Sequence, residues 1–171
     1  MSSSNHSTLK SNLTGLYTRE FLEEYITREI ARVERHDRTL SIALVHIDQN
    51  HDISEEYGAK VYNQVLTHIT SRINLVLRQS DSMVCLWSDN KLLICLLECD
   101  LRGASLVLER LRSRLSSEPI HALSHEIPIT ISAGIATHRP GIRMDSLIKE
   151  AQYALTQALQ AGSNQVRCLE L

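Results

Sequence analysis

Apolar residues along this chain recur in two alternating rhythms, one of helical spacing and one of strand length. After Thr18, which suits an N-cap, Phe21, Leu22, Tyr25, Ile26, Ile30 and Val33 mark one helical face that should end near His36-Asp37. Leu40 to Ile47 then reads as a buried strand, with β-branched Ile42, Val45 and Ile47 and polar residues setting in at His46 and Asp48. Asp52 to Tyr57 is polar and turn-like. Val61, Tyr62, Val65, Leu66, Ile69, Ile73, Val76 and Leu77 return at helical spacing, predicting a second amphipathic helix that stops before Asp81.

Two apolar runs follow, Ser82 to Leu86 and Leu92 to Leu97, joined by Trp87-Ser88-Asp89-Asn90-Lys91. Runs of strand length around Asp and Asn predict a buried β-hairpin with Asp89-Asn90 at its tip. Such a hairpin would form the middle of the sheet. A third helix carries Ala104, Val107, Leu108, Leu111 and Leu115 and is closed by Pro119. Ile127, Ile129, Ile131 and Ala133 alternate through a strand whose exposed start carries Pro128. Met144 to Ala158 forms the last helix, with Gly162 as its C′ residue, and Val166 to Leu171 could add a final strand. Helices alternating with strands around a hairpin predict one mixed sheet covered by helices, an α+β fold of ferredoxin-like type with the hairpin at its centre.

At 171 residues and 43% hydrophobic, the chain has apolar material for one well-packed core and no room for two ordinary domains. Met1 to Asn12 is Ser-rich and polar, and reads as a flexible leader (1–12) ahead of a single domain (13–171). A net charge of -2 supplies no global attraction to nucleic acid or to an anionic membrane surface. No apolar run reaches the ~18 residues of a membrane span and no signal-peptide core is present, so a soluble cytoplasmic protein is expected. Cys85, Cys95, Cys99 and Cys168 lack C-x-x-C spacing and read as reduced core residues. His121 and His125 are spaced as a helical zinc pair would be, yet Pro119 and Pro128 bracket them in a loop without a second ligand pair, so no metal is expected there. Phosphate-binding and nucleophile-elbow motifs are absent.

Several stretches together resemble a GGDEF domain, the module that in its active form condenses two GTP molecules into cyclic di-GMP. Leu13-Thr14-Gly15-Leu16-Tyr17-Thr18-Arg19 resembles that family's opening LTGLxNR, and Ile47-Asp48 with Ile53 and Tyr57-Gly58 resembles its xDIDxFKxINDxYG segment. Ser132-Ala133-Gly134-Ile135-Ala136 is similar to its SIGVA strand, and Ala151 to Val166 to its ADxALYxAKxxGxNxV ending. The resemblance implies the nucleotidyl-cyclase palm version of the ferredoxin-like core.

It also implies that Trp87-Ser88-Asp89-Asn90-Lys91 stands where the GGDEF signature would, matching it at Asp89 alone. Glycines there let the backbone approach a nucleotide, which Trp87 and Ser88 cannot do, and the bulk of Trp87 suits filling the pocket or a partner contact. The carboxylate that opens the family's D-x-D falls on His46, a poor Mg²⁺ ligand, and the signature's Glu falls on Asn90. Asp89 is then the remaining candidate of the metal set. The base-reading Asn and Asp fall on Ser54 and Asn63, the Lys after D-x-D on His51, and the phosphate-holding Lys and Arg on Leu159 and Ser163. Losing the last two alone would cost on the order of 3 to 6 kcal/mol of triphosphate affinity. The resemblance therefore implies a degenerate, catalytically inactive domain needing no cofactor, with Mg²⁺ relevant only to residual cyclase activity.

Arg78-Gln79-Ser80-Asp81 stands at the register of the family's RxxD inhibitory site for cyclic di-GMP, and Arg110 matches that site's second arginine. Guanidinium groups can fork onto phosphate or guanine, and a carboxylate can accept from guanine N1 and N2. The same residues also read as a helix-end cation, a turn-forming Asp and a surface Arg. Three functions stay open: a cyclic di-GMP receptor or signalling adaptor using Arg78, Asp81 and Arg110; a protein-interaction scaffold without nucleotide, with Trp87 at the contact; and a residual diguanylate cyclase. Glu109, Arg112 and Glu150 read as solvated helix faces. In the family two domains face each other across two GTP molecules, so a chain with only a short leader would have to form a homodimer unaided or on a protein partner.

Overall fold

The computed structural model describes residues 16–77, 82–88 and 90–169. The expected leader at 1–12 lies outside them. The first helix, α1 (Arg19–His36), starts where a side-chain cap allows it: Thr18 Oγ1 accepts from the Phe21 amide at 3.4 Å, and Asp37 ends the helix in the left-handed conformation. Its buried face is Leu22, Ile26, Ile30 and Val33, while Tyr17, Phe21 and Tyr25 stack in series along its flank.

Strand β1 (Leu40–Ile47) leads into α2 (Asn50–Leu77), which is helical from Asn50 and therefore includes the stretch read as turn-like. Gly58, at φ 84° and ψ 175°, breaks it into two helical segments. Only a residue without Cβ takes that conformation readily, so the polar segment coils up separately before the amphipathic one begins. The hairpin is β2 (Ser82–Ser88) and β3 (Lys91–Leu97), followed by α3 (Leu101–Ser117), capped by Asp100 through the Gly103 amide at 2.8 Å.

The region expected as one strand from Ile127 is divided. β4 (Ile120–Ala122) and β5 (His125–Ile127) form a small separate hairpin, and β6 (Ile131–Thr137) resumes after Pro128. Proline cannot donate to a ladder, which makes it a natural break. His121 and His125 accordingly sit in this hairpin and not in a loop, with His121 Nδ1 3.5 Å from Glu126 and His125 tilted against the Tyr57 ring. The last helix, α4 (Met144–Gln160), ends in a Schellman pair: the Ser163 amide donates to Ala158 O at 3.0 Å and the Gly162 amide to Leu159 O at 3.3 Å. β7 (Val166–Cys168) closes the sequence of elements.

The main sheet has the order β2-β3-β1-β6-β7. β3 inserts between β1 and β2, and β1 lies between β3 and β6, each neighbour antiparallel, which is the split βαβ arrangement of a ferredoxin-like core. β7 adds to β6 in parallel. The expected α+β class is therefore observed, with one correction: β1 is the middle strand, and the hairpin forms one side of the sheet with β2 at its edge. The burial patterns explain this, because β1 and β3 are shielded on both faces while β2 is only half covered.

Alternate residues of the strands feed two cores. Ala43, Val45, Ile47, Leu92 and Ile94 pack with α2 and α3, whereas Ile42, Leu44, Leu93 and Cys95 pack with α1 and α4. Cys85 and Cys95 are core residues, and burial pushes both thiols up to about 12. Cys99 and Cys168, read from sequence as core too, are only partly buried at its margin. No helix among the described residues is long and apolar enough to cross a membrane.

Gly134 lies where α4 crosses β6. A Cβ at that position would run into the backbone of Ala151 and Leu155, so a side chain there forces the helix off the sheet. Gly134→Ala should lower unfolding free energy by about 2–3 kcal/mol, read as a reduced urea midpoint at unchanged m-value.

Candidate functional site

Polar residues interrupt the cores at the C-terminal end of β1. His46 faces Lys91 of β3 and Ser132 of β6 in register, on the α1/α4 side of the sheet. Lys91 Nζ donates to Gln152 Oε1 of α4 at 2.9 Å. The tip of the hairpin is held from beneath, since the Ile47 amide donates to Asn90 O at 3.2 Å and Ser88 Oγ lies 3.3 Å from Asn90 Oδ1.

The centre of this end is Asp48, whose side chain is only 5% exposed. Its Oδ1 accepts from Ser132 Oγ at 2.8 Å and from His46 Nδ1 at 3.2 Å; its Oδ2 accepts from Thr130 Oγ1 at 2.6 Å and from the Asn164 amide at 3.1 Å. Burial by itself would raise the carboxyl pKa, but these four donors outweigh it and hold Asp48 below the usual value of 3.8. An ionised carboxylate only accepts, so the His46 proton toward it sits on Nδ1. Gln49 reinforces the junction, accepting from the Thr130 amide at 2.9 Å and donating to Thr130 Oγ1 at 3.2 Å.

Four donors fill the roughly four lone-pair directions of a carboxylate, so Asp48 is committed to structure. It ties β1 to the start of β6 and to the loop between α4 and β7. Sequence reading used Asp48 to mark the strand's end and as part of the family resemblance, and gave it no structural role; its signal was an acid placed directly after a mostly apolar strand.

The other expected positions are scattered. Ser54 is exposed on the first segment of α2, and Asn63 follows the Gly58 kink with its carbonyl accepting from Thr67. Leu159 packs at the margin of the α1/α4 core, and Ser163 is spent on the helix terminus. Trp87 packs, partly buried, against the α1/α4 core, and the Arg19 guanidinium lies 3.8 Å from its ring centre. Arg78, Asp81 and Asp89 lie outside the described residues, as does the side chain of His51. Arg110 is exposed on α3, with no ion pair or side-chain hydrogen bond among the described residues. All three charges read as solvated are engaged instead: Arg112 bonds Glu109 at 2.9 Å and Asn164 at 3.0 Å, and Glu150 takes a bidentate pair from Arg139 at 2.7 and 2.9 Å.

With this geometry in hand, likeness to known proteins is decisive. The family model described as "Diguanylate cyclase, GGDEF domain" matches residues 11–165. This chain belongs to the GGDEF domain family. Relatives of this GGDEF domain include diguanylate cyclase DgcP of Pseudomonas aeruginosa, 29% identical over 158 residues, covering 92% of this chain and 23% of that protein. Diguanylate cyclase DgcS of Shewanella oneidensis is 24% identical, with 89% and 50% covered, and DosC of Escherichia coli 28% identical, with 90% and 34% covered. The GGDEF domain thus spans half or less of the length of these relatives. Among solved structures, the GGDEF domain of DgcB from Caulobacter crescentus, in complex with c-di-GMP, superposes with a TM-score of 0.88 at 22% identity, covering 94% of this chain and 95% of that one. The GGDEF domain of FimX from Pseudomonas aeruginosa does so at 0.89 and 13% identity, with 95% and 99% covered. Diguanylate cyclase SiaD of the same organism, in complex with its activator SiaC, superposes at 0.88 and 25% identity, with 95% and 62% covered.

Because the folded-state pKa of Asp48 is depressed, its contribution is present above the unfolded value and is lost as pH falls through the folded value. Asp48→Asn should cost about 2 kcal/mol at pH 7. The gap between wild type and variant should narrow as the pH falls from 5 through 3, followed by urea unfolding at each pH.

Proposed function

We propose that this GGDEF domain has lost cyclase chemistry and acts as a cyclic di-GMP receptor or signalling adaptor. The supporting observation is the state of the carboxylate end of β1. A cyclase needs carboxylates free to hold divalent metal against a triphosphate, so that the metal polarises phosphorus and lowers the pKa of the attacking hydroxyl. Here a histidine, His46, stands at the first of those positions and its ring bonds the neighbouring Asp48. Asn90 replaces a further acid with a neutral amide. On this reading the domain carries no resident cofactor, and Asp89 alone does not assemble a metal site.

Ligand binding is assigned to Arg78, Asp81 and Arg110. Arg78 begins one residue beyond the end of α2 at Leu77, and α2 lies beside α3 in the same core. On α3, Arg112 is bound into the fold while Arg110 has no side-chain partner among the described residues. Two guanidinium groups and a carboxylate suit an anionic guanine dinucleotide, for which cyclic di-GMP is the ligand the family resemblance implies. Output would pass to a protein partner or to a second copy of the domain.

Calorimetric titration with cyclic di-GMP tests the reading. Wild type should bind with micromolar affinity or better, and Arg78→Ala or Arg110→Ala should weaken it at least about tenfold, the worth of one charged hydrogen bond. No heat at high micromolar ligand leaves a scaffold without nucleotide. Turnover of GTP with Mg²⁺ or Mn²⁺ would reject the loss of catalysis.

A further inference from the structure

The strand that carries the replaced signature is held from outside the sheet. β2 is the edge strand, and its free side is covered by the residues leading into α1. Tyr17 forms a parallel bridge with Cys85, its amide donating to Val84 O at 3.0 Å. Two residues on, Arg19 Nη1 donates to Trp87 O at 3.1 Å, and the guanidinium stacks 3.8 Å from the centre of the indole. Glu23, 3.1 Å from Arg19 Nε, aims the group from the next turn of α1. Residues 16–19 therefore run along β2 as a strap ending in a clasp.

The clasp falls where the sheet's own hold is weakest. The pairing of β2 with β3 shifts register between Leu86 and Ser88, a bulge that leaves Trp87 without a partner in the ladder. Its carbonyl is satisfied by Arg19 instead. A cation over an indole face combined with a charged hydrogen bond to the same residue is stronger than either contact alone. The position of Trp87 is thus set by α1 as much as by β3.

We propose that Arg19 is a positioning residue whose clasp on Trp87 makes the segment leading into α1 and the tip of the hairpin one mechanical unit. Displacing residues 16–18 along β2 withdraws Arg19 from the indole and frees the bulge at Trp87; a Trp87 held in place fixes the leading segment in turn. The device does not depend on which ligand the domain binds. It gives Trp87 a role as receiver of movement from the segment ahead of α1.

Trp87 is the single tryptophan, so its emission reports this contact directly. Fluorescence and hydrogen exchange would be measured on wild type, Arg19→Ala, Arg19→Lys and Tyr17→Pro. In Arg19→Ala the emission should move to longer wavelength, and exchange at Trp87, Ser88 and Tyr17 should accelerate about tenfold with the Ala43–Val45 amides unchanged. Arg19→Lys should restore the emission through its cation and leave the fast exchange. Tyr17→Pro, which removes the donor to Val84 and touches neither clasp residue, should shift the emission in the same way. Wild-type emission and exchange in Arg19→Ala would overturn the proposal, as would acceleration spread equally into β1. So would a Tyr17→Pro change confined to Val84. If Tyr17→Pro fails to fold, faster exchange of the Tyr17 amide in Arg19→Ala carries the same test of coupling.

Discussion

A carboxylate buried at the end of a central strand is tolerated only when its lone pairs are filled, and Asp48 meets that condition with four donors drawn from four places. His46 lies on the same strand, Thr130 in the break before β6, Ser132 on β6, and the Asn164 amide in the turn after α4. The three distant donors belong to segments that must arrive in register for the charge to be acceptable. The charge therefore works against strand slippage at the one end of the sheet where apolar alternation stops. The left-handed conformations of Ser163 and Asn164, with φ of 63° and 50°, aim the Asn164 amide inward and are part of the same junction.

That junction occupies the end of the sheet where a GGDEF domain would handle metal and phosphate. In this chain the residues there bond to one another. His46 bonds Asp48, Lys91 bonds Gln152, Asn90 receives the Ile47 amide, and Trp87 is clasped by Arg19. An active site needs groups held in place but left unsatisfied until substrate arrives. Here the hydrogen-bonding capacity of the described residues is largely used internally, which makes the end of β1 a rigid joint. The strap of residues 16–19 lies along the edge strand beside this joint.

Much of this was legible from residue spacing. Helical faces such as Leu22, Ile26, Ile30 and Val33 or Ala104, Leu108, Leu111 and Leu115 follow directly from periodicity, and Thr18 and Gly162 announced two helix ends correctly. Where reading failed, a local signal had competing outcomes. Asp52 to Tyr57 is polar enough for a turn, yet it coils because Gly58 can separate it from the following helix. Ile127 to Ala136 alternates as one strand, yet Pro128 divides it, and Ile120 to Ala122 supplies a partner for the first part. Trp87 could be judged out of place in a nucleotide pocket, but its contact with Arg19 spans 68 positions and carries no local signature.

The sequence by itself determined which residues are apolar at which period and where most helices begin and end; these follow from covalent order and short-range geometry. Only the tertiary structure decided that β1 and not the hairpin is the middle of the sheet, that Asp48 is a filled joint, and that Trp87 answers to α1. Each depends on which strand edges and side chains meet across long loops, and on how a buried charge or an unpaired carbonyl finds its partner. Spacing along the chain does not encode those meetings, because many distant donors could satisfy the same group and folding selects the set that satisfies all of them together.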